Sequence, residues 1–305
     1  MTYQIQRMGW LPDPPDIRDR RSTEEPVEEK VTATVQTMAK QGEATGALRE
    51  HLEKEAAGVV RAKPGKGATG ALRAKPEERA SDVDLRELCS PVEDQGEIGS
   101  CTAHAVCGLA EYLQRSLKGE HIDASRLYLY KVTRGYLGWT GDTGAFVRST
   151  IKALRLFGVP PEAFYPYDTA GFDEEPGAFC YAFGSNYKAV EFYRLEDLEA
   201  LKDSLCRGIP FAFGFTCYNS LFRDQVKKTG DVPFPTKTDK IVGGHAVMAV
   251  GYDDKKGVLR FRNSWGTGWG DEGYGTLPYE YVAQGLATDY WALLNMDFVD
   301  IEREE

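Results

Sequence analysis

The amino-acid sequence predicts an α+β fold with two lobes, in which a mainly helical lobe packs against a mainly antiparallel β lobe. After residue 80, apolar residues first recur at helical spacing, whereas the last third of the chain holds short apolar runs with strand character. Helices followed by strands, without regular alternation, are typical of α+β folds. A cleft is expected at the seam between the two lobes, with the active site in it.

The first predicted helix begins at residue 101. Ser100 is a preferred N-cap residue, Leu109, Leu113 and Leu117 follow at helical spacing, and Gly119 supplies the stop. Two further helices are predicted over 143–157 and 196–206. The predicted strands cover 209–215, 245–253, 257–265 and 289–296, with DDKKG as a hairpin signal between the second and the third.

Composition argues against several classes of function. The chain has 305 residues, of which 42% are hydrophobic and 28% charged, which is ordinary for a soluble globular protein. A net charge of -10 gives no support for binding to nucleic acid. There is no run of apolar residues long enough to span a membrane. The polar, proline-rich N-terminus lacks the pattern of a secretory signal, so a cytoplasmic protein is expected, with export by another route left open.

The number and spacing of the cysteines also fit a protein of the cytoplasm. The six cysteines, at positions 89, 101, 107, 180, 206 and 217, are sparse and show no CxxC spacing. This spacing is typical neither of a zinc site nor of a disulfide framework, so most are expected to be free, buried thiols, with one disulfide left open. No cofactor and no metal is predicted.

Composition changes near residue 80. Residues 1–80 are interpreted as an N-terminal extension and residues 81–305 as the folded domain, with a helical lobe at about 81–187 and a β lobe at about 188–305. Within the extension, residues 20–80 have few aromatic residues and repeat the sequences ATGALR and RAKP. Such a segment buries too little apolar surface to offset its ordering entropy. It is predicted to be a flexible or weakly helical tether, with a plain solvated linker as the alternative.

Residues 9–19 differ from this tether. Trp10, Leu11 and Ile17 lie among prolines that hold the backbone extended. An extended peptide with apolar side chains is suited to occupy a groove. This segment is therefore predicted to cover the cleft.

Cys101 is the candidate nucleophile. It opens the predicted helix, where the positive end of the helix dipole stabilises a thiolate, the reactive form of cysteine. The alternative is a small buried thiol without a chemical role.

A thiolate nucleophile needs a base, and the chain has four histidines. His51 lies in the tether, His121 in a charged turn, and His104 on the same helix as Cys101, where a packing role is predicted. His245 follows two glycines and opens an apolar strand, a suitable place on the edge of a cleft. Its alternative is a histidine satisfied at a strand end.

Two further polar residues complete a possible site. Asn263 ends the strand after the hairpin, so pairing of the two strands brings it close to His245, where an amide can orient the imidazole. Gln95 lies on the loop before Cys101, and its side-chain amide is a candidate oxyanion donor beside the Cys101 backbone N–H. Turn asparagines and loop glutamines are common, and each of these assignments is weak alone.

Together these residues carry a resemblance. The blocks QGEIGSCTA, GGHAVMAVGYD and RNSWGTGWGDEGYG resemble the three motif blocks of papain-like cysteine peptidases, in the family order Gln, Cys, His, Asn. Cys101 and His245 are 144 residues apart, within the spacing typical of that family. The resemblance implies that Trp265 shields the Asn–His hydrogen bond from water. The opening GWLPDPPDIRD is similar to that of a bacterial and viral subgroup with unusual extensions.

The sequence also departs from the family pattern. Ile98 replaces a cysteine three residues before the nucleophile, and Thr102 replaces the Trp or Tyr that usually follows it. A Gly-Gly pair that binds substrate backbone corresponds to Gly144 and Ala145, and the Asp often found before the histidine is Gly244. By the resemblance, Gly144, Ala145 and Gly244 are candidate substrate-binding residues, and Trp265 is grouped with them.

The resemblance implies a cysteine endopeptidase that acts on peptide or protein substrates and is made as a zymogen. Its own N-terminal extension would be an intramolecular inhibitor. Two alternatives use the same scaffold: a binding module that has lost catalysis, for which Thr102 and Ala145 are the best support, and an acyl transferase that passes the acyl group to an amine instead of to water.

Overall fold

The computed structural model describes residues 8–41, 49–50, 53–54 and 79–298. The helices are α1 (Glu25–Gln41), α2 (Cys101–Lys118), α3 (Arg126–Tyr136), α4 (Val147–Phe157), α5 (Ala178–Gly184), α6 (Leu198–Cys206), α7 (Asp224–Thr229) and α8 (Tyr279–Ala283). The strands are β1 (Asp82–Asp84), β2 (Tyr187–Leu195), β3 (Phe211–Tyr218), β4 (Ile241–Asp253), β5 (Val258–Arg262), β6 (Tyr274–Pro278) and β7 (Ala287–Phe298).

The strands described here form one antiparallel sheet in the order β2-β7-β3-β4-β5-β6, with β1 paired to β4. The predicted hairpin joins β4 to β5, with Asp253 opposite Val258. Helices α2 to α4 precede most of the sheet in the chain, as the sequence pattern predicts. The two-lobed α+β prediction is confirmed. No helix in the described ranges is long and apolar enough to cross a membrane.

Helix α2 is the buried centre of the molecule. Most of its side chains are buried on every side, because it packs on the sheet, mainly on β4 and β7, and also contacts α3 and α4. Gly108 permits this close approach, since a Cβ there would lie 2.6 Å from a guanidinium nitrogen of Arg262 on β5. The helix ends at Gly119, which adopts the left-handed conformation with φ 83°. Ser100 stands at the N-cap, but its hydroxyl bonds to Tyr167 instead of capping the helix.

The prediction of a tether over 20–80 is wrong for Glu25–Gln41, which form the packed helix α1. Val27, Val31, Val35 and Met38 are buried in the core. Their spacing puts them on one face of the helix, so a narrow apolar stripe exists that the average composition conceals. The rest of the predicted tether, including both ATGALR repeats, lies outside the described residues except for short stretches.

The extension is attached to the β lobe along its edge. Residues 20–22 pair with β2, where Arg194 donates its backbone N–H to the Arg20 carbonyl and accepts from Ser22 N–H, at 2.8 and 3.0 Å. Helix α1 then binds the same region, since Glu28 pairs with the buried Arg207 at 2.6 Å. The extension is therefore part of the folded unit from residue 8 to residue 41.

The six cysteines are all buried thiols in this structure. Each lies within the described ranges, and none bonds covalently to another. The five besides Cys101 pack as small apolar groups in the core.

Substitution of Val35 by Ala tests the packing of α1. Val35 is fully buried, so we expect its truncation to lower the free energy of unfolding by about 1–3 kcal/mol. Chemical denaturation followed by circular dichroism measures the change, with Lys40→Ala on the exposed end of the same helix as the control. Equal stability of the two variants would show that α1 does not pack on the domain.

Candidate active site

Cys101 lies at the first turn of α2, facing β4. The backbone N–H of Ala246 donates to its sulfur at 3.4 Å, so the strand that carries His245 passes directly beside the thiol. The side chain is fully buried in the presence of the extension. The close packing of α2 on β4 thus brings together two motif blocks that are far apart in the sequence.

His245 is held by two contacts that fix its ring. Its Nε2 lies 2.8 Å from Oδ1 of Asn263, which follows β5 and is brought close by the β4–β5 pairing. The indole of Trp265 stacks on the imidazole, with ring centroids 4.6 Å apart and an interplanar angle of 26°. The bond to the amide oxygen fixes which ring nitrogen, Nε2, faces Asn263. Trp265 therefore contacts the imidazole whose hydrogen bond to Asn263 it is predicted to shield.

Gln95 is fixed on the loop before α2. Its Oε1 accepts from the Ser264 hydroxyl at 2.6 Å, and its Nε2 donates to the Ile98 carbonyl at 2.8 Å. A side-chain amide has two N–H groups, so this bond uses one of them. Ser264 is a positioning residue that sequence reasoning missed, although it lies inside the NSWG motif.

His104 has the packing role that its position indicates. Its Nδ1 lies 3.1 Å from the Ser100 carbonyl, and its ring meets Tyr167 edge to face at 5.1 Å. Burial holds the pKa of His104 well below its usual value, with the Arg126 charge acting in the same direction. The ring is therefore neutral at physiological pH and is a poor acceptor for a proton from Cys101.

The cleft holds the start of the extension. Ala145 donates its N–H to the Gly9 carbonyl at 2.7 Å and accepts from Leu11 N–H at 3.1 Å, which makes a short parallel bridge. On the opposite wall, the Gly244 carbonyl accepts from Trp10 N–H at 3.2 Å. Two of the predicted substrate-binding residues therefore bind the backbone of residues 9–11.

Gly9 also lies beside the Cys101 thiol. Its backbone N–H is directed at the Cys101 sulfur. A Cβ on Gly9 would lie 1.8 Å from the Gly99 carbonyl oxygen, and a Cβ on Gly144 would lie 2.2 Å from the Gly9 carbonyl oxygen. Only glycine fits at residue 9, and a third predicted substrate-binding residue, Gly144, packs directly on it.

The indole of Trp10 fills a pocket, called here the Trp10 pocket, whose walls are Gly214 on β3 and Gly244 on β4. A Cβ at either glycine would meet the indole ring, at 1.9 and 2.5 Å respectively. Asp289 on β7 lies at the base of the pocket, near the indole nitrogen. No motif marks Gly214 or Asp289, and sequence reasoning missed both.

Asp13 anchors the segment just beyond the Trp10 pocket. Its carboxylate accepts from the Trp291 indole N–H at 2.8 Å and from Arg148 N–H at 3.3 Å, and its own N–H donates to Asp289 at 2.8 Å. The guanidinium of Arg148 reaches the Pro14 carbonyl at 2.9 Å. Burial raises the pKa of Asp13 to about 7, and the nearby Asp289 carboxylate acts in the same direction.

Beyond Pro14 the segment turns away from the cleft. Arg148 pairs with Asp19 at 2.8 Å, which holds the end of the predicted cleft segment on α4. Ile17, in contrast, is fully exposed in a turn. The expectation that Ile17 docks with Trp10 and Leu11 is wrong, because the turn at 17–18 points its side chain into solvent.

Burial determines the pKa of the Cys101 thiol in this structure. Burial raises the pKa of Cys101 to about 11, although the backbone N–H groups of Ala246 and Gly9 act in the opposite direction. The thiolate is therefore scarce at neutral pH while residues 8–13 occupy the cleft. In this closed arrangement Cys101 is a buried thiol beside the strand of His245, whose imidazole bonds to Asn263.

Residues 79–291 match the family model described as papain family cysteine protease. This range is more than half of the chain, and the chain belongs to the papain family of cysteine proteases. The relatives that follow, one viral and one from Xylella, confirm the resemblance to viral and bacterial papain-like proteins.

An uncharacterized peptidase C1-like protein of Acanthamoeba polyphaga mimivirus is 35% identical over 214 residues, which cover 66% of this chain and 68% of that protein. Cysteine proteinase 1 of Entamoeba histolytica is 30% identical over 208 residues, which cover 66% of this chain and 63% of that protein. This chain spans about half to two thirds of the length of the curated relatives it matches.

Among solved structures, Xylellain, a cysteine protease from Xylella fastidiosa, matches with a TM-score of 0.72 and 32% identity over 97% of both chains. Procathepsin L2 from the larval midgut of Tenebrio molitor shares the fold, with a TM-score of 0.57 and 23% identity over 73% of this chain and 70% of that one.

Alkylation of Cys101 tests its suppressed reactivity. Because its pKa is about 11 in the closed arrangement, against about 8.5 for an ordinary thiol, we expect the native chain to react with iodoacetamide at pH 7 at least about 100-fold more slowly than the same chain in urea. Peptide mass spectrometry gives the rate for Cys101. A native rate close to that in urea would mean that the thiol is open to solvent.

Proposed function

We propose that this chain is a cysteine-type endopeptidase made as a zymogen, with Cys101 as nucleophile, His245 as base and Asn263 as the residue that orients the base. One observation carries the proposal: the backbone of residues 9–11 bonds to both walls of a cleft whose floor holds Cys101 beside the strand of His245. A peptide backbone held over a nucleophile in this way occupies the place of a substrate.

The chemistry follows from the positions of these groups. Once the cleft is open, His245 takes the thiol proton and the Cys101 thiolate attacks the carbonyl carbon of the scissile bond. The Cys101 backbone N–H and the Gln95 side chain stabilise the oxyanion. The C–N bond then breaks while His245 gives its proton to the leaving amine, which leaves an acyl group on Cys101. His245 next deprotonates a water molecule, which attacks the thioester and releases the acid and the thiolate.

The inhibitory role of the extension rests on three contacts of different kinds. Gly9 covers the thiol, Trp10 fills a side-chain pocket, and Asp13 bonds to β7 and α4. The backbone bridge to Ala145 is parallel, so the direction of the extension along this wall is defined. Because α1 is also packed on the domain, the segment is held at both ends of its path over the β lobe.

Substitution of Gly9 by Val tests the block. A Cβ at this position has no space beside Gly99, so the substitution should expel the segment from the cleft. We expect peptide hydrolysis and Cys101 alkylation both to rise by about tenfold or more, which corresponds to loss of about 1.4 kcal/mol of docking free energy. Ile17→Ala, at an exposed position of the same segment, is the matched control and should change neither rate.

Alkylation of Cys101 and peptide hydrolysis test different parts of the proposal. If folded Gly9→Val protein reacts with iodoacetamide as slowly as the parent, the extension does not block the cleft. If it reacts rapidly but hydrolyses no member of a mixed peptide library, the domain is a binding module instead of a peptidase. Hydrolysis that survives Cys101→Ser in the Gly9→Val chain would assign the activity to another nucleophile.

The titration of Asp13 predicts how docking of the N-terminal segment in the cleft depends on pH. Its pKa is about 7 when docked, against about 3.9 for a free aspartate, so docking takes up a proton and weakens as pH rises towards and through 7. Asp13→Asn imitates the neutral acid and removes this dependence. We expect the ratio of Cys101 alkylation rates, native over Asp13→Asn, to rise by about tenfold or more between pH 5 and pH 8.

Taking this ratio cancels the titration of the thiol itself, which both proteins share. A ratio that is flat over this range would show that Asp13 is ionised in the docked state. A ratio that falls would reverse the sign of the linkage.

A further inference from the structure

A small cavity lies between the first turn of α2 and the strands β4 and β5. Its lining includes His104 on α2, Ala246 on β4, Arg262 at the end of β5, and Asn263 directly after it. These lining residues are buried, and the cavity has a volume of about 10 Å³. This is about the least space that holds one water molecule.

The hydrogen bonds of Asn263 define which way its side-chain amide is turned. Its Oδ1 lies 2.8 Å from the backbone nitrogen of Ser264 and 2.8 Å from Nε2 of His245. A backbone N–H can only donate, so the atom at this position is the amide oxygen, and Nε2 of His245 carries the proton of the second bond. The amide nitrogen Nδ2 is buried and has no hydrogen-bond partner among the described residues. The orienting amide therefore has N–H donors left for another group.

His104 offers the matching acceptor. Its Nδ1 lies 3.1 Å from the Ser100 carbonyl oxygen and 3.3 Å from the Ser100 hydroxyl. A carbonyl oxygen only accepts, so Nδ1 carries the ring proton. Burial holds the pKa of His104 well below its usual value, and Nε2 of the neutral ring keeps a lone pair. This nitrogen is buried and reaches no partner in the part of the chain that the structure describes.

Arg262 supplies a third group on the same cavity. One of its terminal nitrogens donates to a backbone carbonyl, whereas its buried Nε reaches no acceptor within the described ranges. A buried water molecule typically makes about three hydrogen bonds. A water that accepts from Asn263 Nδ2–H and Arg262 Nε–H and donates to His104 Nε2 would satisfy all three atoms. The other charged residues of the lining, Arg126 and Glu93, face each other at 3.8 Å.

We propose that one water molecule in this cavity joins His104 Nε2 to Asn263 Nδ2, which makes His104 a positioning residue for the orienting amide. This inference rests on the proposed peptidase function, in which Asn263 orients the base. An amide held from behind keeps its oxygen on the Nε2 proton of His245, and so fixes the tautomer and the plane of that ring. The contacts thus run from helix α2 through the water to the base on β4.

The water and the tautomer can be measured in the native full chain without catalysis. A crystal structure is expected to show one density peak at about 2.7–3.2 Å from His104 Nε2, Asn263 Nδ2 and Arg262 Nε. Nitrogen-15 NMR of histidine-labelled protein is expected to show His104 protonated at Nδ1 alone. A dry cavity, or a proton on Nε2 of His104, overturns the proposal. A halide in the cavity, seen as an anomalous peak in crystals grown with bromide, also overturns it, because the lone pair of a neutral imidazole repels an anion.

Two substitutions separate the hydrogen bond from the packing of His104. His104→Gln places an acceptor oxygen at about the reach of Nε2, whereas His104→Phe keeps a ring and removes the acceptor. In the full chain opened by Gly9→Val, we expect the Phe variant to lose about tenfold in kcat with an unchanged KM, and the Gln variant to lose about twofold or less. Solvent exchange of the His245 Nε2 proton, followed by NMR, should be about tenfold faster in the Phe variant than in the Gln variant. Thermal unfolding of each variant confirms that it is folded.

These measurements separate failure of the water bridge from failure of the peptidase function. Equal kcat and equal proton exchange in the folded Phe and Gln variants overturn the proposal, because His104 would then act through packing alone. If the water is found and proton exchange differs as expected, but the opened chain cleaves no peptide, the positioning of Asn263 by His104 stands and the proposed peptidase function fails.

Discussion

The structure depends on the direct contact between the N-terminal half of helix α2 and strands β4 and β5. The glycine at 108 leaves room for the Arg262 guanidinium, since a Cβ there would lie 2.6 Å from one of its nitrogens. The same contact sets the position of the Cys101 sulfur against Ala246 N–H, and so against His245 one residue earlier. Displacement of a reacting group by about 1 Å costs catalysts large factors in rate, so the packing of this helix is a condition for any chemistry here.

Glycines on both sides make room for the N-terminal segment. Gly9 belongs to the segment, whereas Gly214 and Gly244 belong to the cleft, and a Cβ at any of them would collide with the other partner. The family residue often found before the histidine is an aspartate, and its replacement by Gly244 is what gives the Trp10 indole its space. Ala145, which replaces the second glycine of the usual pair, keeps both backbone hydrogen bonds. The departures from the family pattern therefore alter the pocket and preserve the backbone contacts.

Charge is concentrated where the segment leaves the cleft. Asp13 and Asp289 are both buried, and burial raises the pKa of each. Arg148 binds Pro14 and Asp19 of the segment, and Arg194 lies between Asp19 and Asp289. Three carboxylates and two guanidinium groups thus connect the extension to both lobes.

The sequence by itself determined the fold class, the position of the central helix and the set Gln95, Cys101, His245 and Asn263, because periodicity, capping residues and motif spacing are local properties of the chain. Tertiary structure decided what lies beside them. Helix α1 packs through a narrow apolar stripe that an average over the composition of the segment does not reveal. Asp289 lies next to Trp10 and Asp13, although more than 270 residues separate it from them in the chain. Such juxtapositions arise from strand register and sheet order, which no short stretch of sequence encodes.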